Sequence, residues 1–269
     1  MKLSICPPPI GNLRDITLRV LDTLQQVDVI AAEYSRHSRK LLTHFDIKTR
    51  IMHYDDHHST AGLESIMELL RAGKHVALVS DAGMPVVSDP GILLIRQCIQ
   101  EGIEVEVLPG ASAFVNAWVL AGFPQDSFTF YGFLPRKQSD LQRKLADIKP
   151  RKEVAIFYEA PHRIVKTLSA IRDILGNRRA VLARELTKLH EEVLRQDVDH
   201  LIAELKAAPR KGEMVLLVEG ASEEIISITV EQELKDLIAL GMSKNDAVRA
   251  VAQTRKLPKR EVYRQALDL

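Results

Sequence analysis

Two segments of the chain place acid–base side chains directly after apolar runs that predict strands. Glu159, His162 and Arg163 follow the run EVAIFY, and Glu185 and Lys188 follow the run AVLAR. Catalytic groups of α/β proteins commonly lie at strand ends, so these side chains are candidates for moving a proton or holding an anion. Ion pairing between neighbouring strands would explain the same residues. The sequence leaves both interpretations open.

The sharpest local feature is the segment VALVSDAGMPVVSDPG at residues 76–91. It predicts a buried strand that ends before the turn DAGMP and a helix that opens after Asp89. Ligands of open α/β sheets bind beyond the carboxyl ends of strands, where this turn would lie. Gly83 permits a close approach of the backbone, and Pro85 stiffens the turn. An ordinary strand-to-helix turn with Asp89 as the helix N-cap is the competing interpretation.

The glycine pattern disfavours the usual nucleotide-binding loops. No two of the 13 glycines stand two residues apart, so the sequence contains no GxG, and it contains no GK[ST]. A dinucleotide-binding fold, the Gly-rich class of methyltransferase and a P-loop are therefore disfavoured. A second strand-exit loop, PGASA at residues 109–113, offers small side chains and free backbone N–H groups. Small residues of this kind suit a flat adenine or a ribose.

Basic and metal-binding residue types cluster at two further places. The segment EYSRHSRK at residues 33–40 follows a predicted strand and is either a phosphate-facing patch or a solvated helix start. The run DDHH at residues 55–58 contains possible metal ligands. Adjacent side chains in a loop do not easily converge on one ion, and Cys6 and Cys98 stand alone, so we expect no metal site.

Strands and helices alternate in the part of the chain that must position the first loops. Apolar runs predict strands, each separated by a helical stretch, at 3–6, 27–32, 76–80 and 105–108. This βαβ rhythm is typical of a parallel sheet, and continuous apolar runs are typical of strands buried on both faces. A helical pattern at 111–121 that ends at Gly122 places the domain boundary near 122–127.

The α/β pattern restarts after this boundary and stops at Gly220. The predicted strands are 127–133, 153–159, 180–185 and 214–220, and the predicted helices lie near 138–149, 161–175 and 197–208. The tail predicts three short helices with breaks at 241–243 and 257–258, and Ser243 is a plausible N-cap. Between 243 and 264 the tail has seven basic and two acidic residues, a local net charge of +5. Either RNA binding or a solvated helical cap would explain this charge.

Composition places the chain among ordinary globular proteins. Of its 269 residues, 46% are hydrophobic and 27% are charged, and the net charge is only +1, so any binding to nucleic acid must use local patches. The apolar runs are too short for a membrane span, and the N-terminal MKLSICPPPIGN is too short for a signal peptide. We therefore expect a cytoplasmic protein with reduced cysteines and no contact with membranes.

Eight segments, taken together and in order, resemble the RsmI family, the 16S ribosomal RNA cytidine 2′-O-methyltransferases of the tetrapyrrole methylase superfamily. They are PIGNLRDITLR, SRHSRKLL, VALVSDAGMPVVSDPG, LPGASA, GFLPRK, IFYEAPHR, VLARELTKLHEE and KGEMVLLVEG. The tail, with LPKREVYRQAL, is similar to the helical, helix-turn-helix-like extension of that family. The resemblance implies α/β domains at 1–122 and 123–222 with S-adenosylmethionine in the cleft between them, an RNA-binding extension at 226–269, and commonly a homodimer.

The resemblance also implies roles for individual residues. The implied cofactor contacts are Asp81, Ala82, Gly83, Pro85, Ser112, Ala113, Phe133 and Glu213. A ribose hydroxyl needs a group to take its proton, and our candidates are Glu159, Glu185 and His162, with Lys188 or Arg163 to orient the ribose or a phosphate. The predicted contacts to 16S ribosomal RNA, in the small ribosomal subunit, are Arg36, Arg39, Arg136, Arg163, Lys244, Lys259 and Arg260.

Four residues in three segments depart from the family pattern and leave two other functions open. Met84 and Pro8 stand where threonine is usual, and Tyr34-Ser35 replaces an acidic–Thr pair. One alternative is a methyltransferase acting on a tetrapyrrole carbon, against which the basic tail and the PPP opening loop both argue. The other is an RNA-binding module of the same fold without turnover, which Tyr34 and Met84 keep open.

Overall fold

A computed structural model describes residues 1–33, 35–55, 60–221, 230–255 and 257–266. The chain divides into two compact units, Met1–Gly220 and Ala221–Leu269. The first unit contains two five-stranded sheets, and the second is helical. The predicted fold class, two α/β regions followed by a small helical extension, is confirmed. None of the helices in the described ranges is long and apolar enough to cross a membrane.

Sheet 1 is entirely parallel. Its strands are β1 Lys2–Ile5, β2 Val29–Ala32, β3 Arg50–His53, β4 His75–Val79 and β5 Glu104–Val107, in the spatial order β3-β2-β4-β1-β5. The helices between them are α1 Leu18–Gln26, α2 Ser35–His44, α3 Thr60–Arg71 and α4 Ile92–Gln100. Leu3 and Leu78 face one core of this sheet, whereas Cys6 and Ala77 face another. Both faces are thus covered, as the continuous apolar runs predict.

Sheet 2 is mixed rather than parallel. Its strands are β6 Phe128–Phe133, β7 Val154–Glu159, β8 Arg179–Arg184, β9 Glu192–Asp197 and β10 Met214–Val218, in the order β6-β7-β10-β8-β9. Only β6 and β7 pair in parallel, while β10 runs antiparallel to both of its neighbours. The helix α5 Ala113–Ala121 packs on one face of this sheet, and the other face is covered by α6 Gln138–Ile148, α7 Ile164–Leu175 and α8 Val198–Ala207.

Strand β6 contains one extra residue relative to its partner. Phe130 pairs with Ile156 and Phe133 pairs with Tyr158, so three steps along β6 match two steps along β7. Gly132 has φ +65° in this interval. A bulge of this kind shifts the alternation of side chains, so that those beyond it change face. The bulge therefore decides where Phe133 lies.

The second unit has its own apolar core. Its helices are α9 Val230–Ala239, α10 Lys244–Thr254 and α11 Lys259–Gln265, which confirm the three predicted helices. Leu234, Val248 and Val262 are fully buried in the core that they share. The side chain of Ser243 accepts a hydrogen bond from the backbone N–H of Asp246, so Ser243 is the N-cap of α10, as predicted.

Candidate active site

Chain segments from both sheets surround a cavity of about 350 Å³ in the first unit. The segments after β1, β4 and β5 supply one wall, with Ile10, Ala82–Met84, Val87–Asp89 and Ser112–Ala113. Sheet 2 supplies the other wall at the edge where β6, β7 and β8 end and β10 begins, with Phe133, Tyr158–Pro161, Ala183, Leu186 and Gly212–Val215. A cavity of this size accommodates a drug-sized ligand. Its position beyond the carboxyl ends of parallel strands is the one that ligands of open α/β sheets occupy.

The loop between β4 and α4 is strained along one side of the cavity. Left-handed backbone occurs at Gly83, Val86, Ser88 and Gly91, with φ of +76°, +73°, +69° and +132°. A β-branched valine rarely adopts this conformation, and such strain concentrates at ligand clamps. The loop is held in place by hydrogen bonds from the Gly83 N–H to the Pro8 carbonyl and from the Ser80 hydroxyl to the Gly83 carbonyl, at 3.0 and 2.9 Å.

The interpretation of this loop as an ordinary turn with Asp89 as N-cap is wrong. Gly91 is the N-cap of α4, and no side chain caps that helix end. The side chain of Asp89 lies in the cavity wall instead. Burial raises the pKa of Asp89 to about 7, and the nearby carboxylates of Glu33 and Asp81 add to the rise. Sequence analysis missed this residue because only the left-handed turns at 86 and 88 bring it into the cavity.

We expect Asp89→Asn to stabilise the protein in a pH-dependent way. The folded-state pKa of Asp89 lies above the ordinary value of 3.8, so its ionisation between about pH 4 and 7 favours the unfolded chain. Wild type should therefore lose stability relative to the variant across that window. Above pH 7 the difference should reach about 1–2 kcal/mol, well under the full value of the shift because the carboxyl is partly exposed. Urea unfolding of both proteins at pH 4.5 and 7.5 measures the difference in their free energies of unfolding. An equal difference at the two pH values would contradict a raised pKa for Asp89.

Six of the eight predicted cofactor contacts line the cavity. The lining residues are Ala82, Gly83, Ser112, Ala113, Phe133 and Glu213. Asp81 and Pro85 do not line the cavity, and Pro85 is buried. Tyr158 also lines it, and burial raises the pKa of its hydroxyl to about 12, so Tyr158 stays protonated at neutral pH.

Two predicted site residues, Glu159 and Arg163, make hydrogen bonds around the start of α7, and Glu159 also lines the cavity. The Glu159 carboxylate is fully buried and accepts hydrogen bonds from the Thr167 hydroxyl and the Ala160 N–H, at 2.6 and 2.8 Å. Arg163 donates to the Leu134 and Pro135 carbonyls, both at 3.1 Å, and its Nε lies 3.5 Å from Glu159. Both side chains are thus engaged with the protein, and the roles of Glu159 as a proton acceptor and of Arg163 as a phosphate contact stay predictions.

Glu185 and Lys188 do not line the cavity, but they form an ion-pair cluster with Glu213, which does. The Lys188 Nζ donates to Glu185 Oε1 at 2.9 Å and to Glu213 Oε2 at 3.1 Å, and Glu185 Oε1 also accepts from the Glu213 N–H at 2.9 Å. Burial opposes charge on both residues, but these bonds outweigh it, lowering the pKa of Glu185 and raising that of Lys188. Both groups are therefore ionised, which makes Glu185 a weak base and Lys188 a fixed cation.

Glycines allow the loops of this cluster to approach one another. A Cβ at Gly11 would lie 2.5 Å from Lys188 Cγ, and one at Gly212 would lie 2.5 Å from Glu185 Cδ. The Asn12 N–H also donates to Thr187 Oγ1 at 3.0 Å. The exit loops of β1 and β8 and the turn before β10 thus lock together beside the cavity.

The remaining predicted residues of the first unit are not among those that line the cavity. His162, Arg39 and Arg136 are exposed, and none of them lines the cavity. The side chain of Arg36 and residues 34 and 56–58 lie outside the described residues. In the second unit, Lys244, Lys259 and Arg260 are all exposed. Within the ranges that the structure describes, no three His, Cys, Asp or Glu residues are grouped to hold a metal ion.

Comparison with known proteins places this architecture in one fold family. Residues 2–202 match the family of tetrapyrrole (corrin/porphyrin) methylases. A cobalt precorrin-4 methyltransferase of cobalamin biosynthesis superposes with a TM-score of 0.62, at 21% identity, over 80% of this chain and 94% of its own. A diphthine synthase superposes with a TM-score of 0.63, at 16% identity, over 82% and 90%. At these identities the two structures establish the fold alone.

Relatives of higher identity cover nearly the whole chain. Proteins named ribosomal RNA small subunit methyltransferase I are 42% identical in Halalkalibacterium halodurans, over 97% of this chain and 93% of theirs, and 40% identical in Bacillus subtilis, over 97% and 92%. The Vibrio cholerae protein of that name is 42% identical over 99% and 94%. The chain belongs to this methyltransferase family, a branch of the tetrapyrrole methylases, as the resemblance of its motifs predicts.

Proposed function

We propose that the chain is an S-adenosylmethionine-dependent methyltransferase that modifies the 2′-hydroxyl of a cytidine in the P-site region of 16S ribosomal RNA. The observation that carries the proposal is the cavity between the 82–89 loop and the end of sheet 2, in a chain whose relatives are named for methylation of small-subunit RNA. The proposed substrate implies a cytoplasmic protein.

The cavity wall fits a nucleoside-containing donor. Gly83 has no side chain, and a Cβ there would lie 3.0 Å from Ile10 Cγ2 and 3.3 Å from the Ala111 carbonyl oxygen. Ala82, Ala113 and Ala183 add small side chains to the wall, and Ser112 adds a hydroxyl that makes no capping bond to α5. These residues would hold S-adenosylmethionine, with Met214 and Tyr158 on the other wall. Bound there, the sulfonium supplies an already activated methyl group.

The remaining chemistry is alignment of the ribose and removal of its proton. Among the described residues, the carboxylates in the cavity wall belong to Asp89, Glu159 and Glu213, and Glu159 is fully buried with both oxygens hydrogen-bonded. We assign proton acceptance to Asp89, because Glu213 is paired with Lys188. An acceptor whose pKa lies near the working pH is the most effective, and the pKa of Asp89 is about 7. Lys188 would hold Glu213 in place in the cavity wall through their ion pair at 3.1 Å.

Methylation of isolated subunits tests the proposal. Small ribosomal subunits from a strain that lacks this methyltransferase would be incubated with the protein and S-adenosylmethionine, and the RNA would be digested to nucleosides for mass spectrometry. We expect 2′-O-methylcytidine from wild type and a large loss of product, about 100-fold or more, from Asp89→Asn. A base-methylated nucleoside or transfer to a porphyrinoid would overturn the proposal. RNA binding without transfer would favour a module that lacks turnover.

We further propose that the protein is a homodimer that uses α5. The outward face of this helix carries Val115, Val119 and Leu120, and Val119 is 74% exposed. An apolar helix face in water is typical of an interaction site. Val119→Lys should shift the protein from dimer to monomer in sedimentation velocity, because a buried unpaired charge opposes association. Ile99→Lys, at an exposed apolar residue of α4, is the matched control and should stay dimeric. A monomeric wild type would refute the dimer.

A further inference from the structure

Phe133 is an aromatic side chain that remains open to solvent although it lines the cavity. Its relative exposure is 58%, which is unusual for a phenylalanine. The ring contacts that of Tyr158 edge to face, with 5.7 Å between the centroids. Edge-to-face packing against one neighbour leaves a face of the Phe133 ring available to a planar partner.

The bulge in β6 aims this ring at the cavity. Alternation along a regular strand would put Phe133 on the face of Tyr131, whose ring stacks on Phe157 among the helices of sheet 2. The extra residue before Phe133 moves it to the face of Phe130, and both rings contact Tyr158. Bulges that re-aim a side chain are common next to active sites. The bulge in β6 therefore determines that Phe133 lies on the cavity side of the strand.

The neighbours of Phe133 also suit an RNA strand. A Cβ at Gly132 would lie 3.1 Å from the Ser88 hydroxyl, so the bulge contacts the strained loop that carries Asp89. On the other side of Phe133 along the chain, Arg136 and Lys137 are exposed. An aromatic platform beside basic residues is typical of sites that bind single-stranded nucleic acid.

We propose that Phe133 stacks on the base of the RNA nucleotide to be methylated. This role replaces the cofactor contact that the family resemblance implied for Phe133. The inference rests on the proposed function. A cofactor in such a cavity has most of its surface buried away from water, so we expect its contacts in the buried part of the wall. An exposed ring at the rim is available to the second reactant, the RNA. Stacking there would bring the attached ribose alongside the loop of Asp89.

Three variants of β6 test the stacking. Phe133→Ala removes the ring, Phe133→Trp keeps a stacking surface, and Phe128→Ala is the matched control, because Phe128 is a partly exposed phenylalanine of the same strand outside the cavity wall. We expect Phe133→Ala to raise KM for small ribosomal subunits about 5- to 150-fold, the usual range for loss of one base–aromatic stack. Phe133→Trp and Phe128→Ala should stay within about threefold of wild type, and calorimetric affinity for S-adenosylmethionine should be unchanged in all three.

The same measurements distinguish the alternative roles of Phe133. Weaker binding of S-adenosylmethionine by Phe133→Ala, with KM for subunits unchanged, would make Phe133 a cofactor contact and overturn the proposal. Unchanged values for both reactants, or a tryptophan variant as impaired as the alanine variant, would overturn it as well. If wild type transfers no methyl group to subunits, the proposed function fails, and filter binding of subunits to wild type and Phe133→Ala decides the stacking by itself.

Discussion

Gly83→Val is expected to reduce the affinity for S-adenosylmethionine at least 100-fold. The residue has φ +76°, and its Cβ would already lie 3.0 Å from Ile10, so the branched side chain forces the loop or Ile10 to move. Both line the cavity, so the movement deforms the wall that the cofactor would contact. A valine at positive φ also costs about 1–3 kcal/mol of stability. Isothermal calorimetry of the folded variant measures the binding.

Gly73→Val separates the two effects. Gly73 has a similar φ of +84°, but no neighbour in the described part of the chain lies within 4 Å of a Cβ there. The turn joins α3 to β4 at the end of that strand opposite the cavity loop. The control should lose comparable stability and still bind S-adenosylmethionine with wild-type affinity. Undiminished affinity in folded Gly83→Val would remove the 81–85 loop from the cofactor site.

Replacement of three tail cations is expected to weaken RNA binding about 10- to 100-fold at physiological salt. Lys244, Lys259 and Arg260 are exposed in the second unit, whereas Arg255 is paired with Glu233 at 2.5 Å. The triple alanine variant should reduce the slope of log affinity against log salt by about 2–3, a little under one per phosphate contact. Truncation after Ser222 should have at least the same effect. Filter binding across a salt series measures both.

The matched control removes three cations from the amino ends of the strands in sheet 1. Lys48, Arg50 and Lys74 lie at that end, opposite the cavity. Their triple alanine variant should bind RNA with the wild-type salt slope. All of these proteins should keep the wild-type affinity for S-adenosylmethionine. Equal RNA binding by the tail variant, the truncated chain and wild type would mean that the tail serves folding or dimerisation.

The sequence predicted the loops of the site better than the directions of its side chains. Strand ends could be located from apolar runs, and the segments 82–84 and 112–113 both line the cavity. Glu159 was assigned a catalytic role because it ends such a run. Side chains alternate along a strand, so Glu159 shares a face with Phe157, which is buried among the helices, whereas Tyr158 faces the cavity. That alternation was legible in the sequence and predicts opposite directions for the two side chains.

Other features had no signal that sequence reasoning could use. Strand β3 is four residues long, and β9, with the sequence EVLRQD, is largely polar, so neither forms an apolar run. The mixed direction of sheet 2 follows from β10 pairing between β7 and β8, a long-range choice that no local pattern encodes. Asp89 enters the cavity through left-handed backbone at Val86 and Ser88, and neither residue type favours that conformation.

The interlocked loops beside the cavity have a consequence for the order in which the chain can fold during synthesis. Sheet 1 needs only residues 2–107, so it can form while the remainder is still being translated. Sheet 2 closes only when β10 inserts between β7 and β8, and the bond from Asn12 to Thr187 spans 175 residues. Contacts this distant are slow to form. The cavity is therefore among the last features to be completed, and a nascent chain shorter than about 215 residues lacks part of its wall.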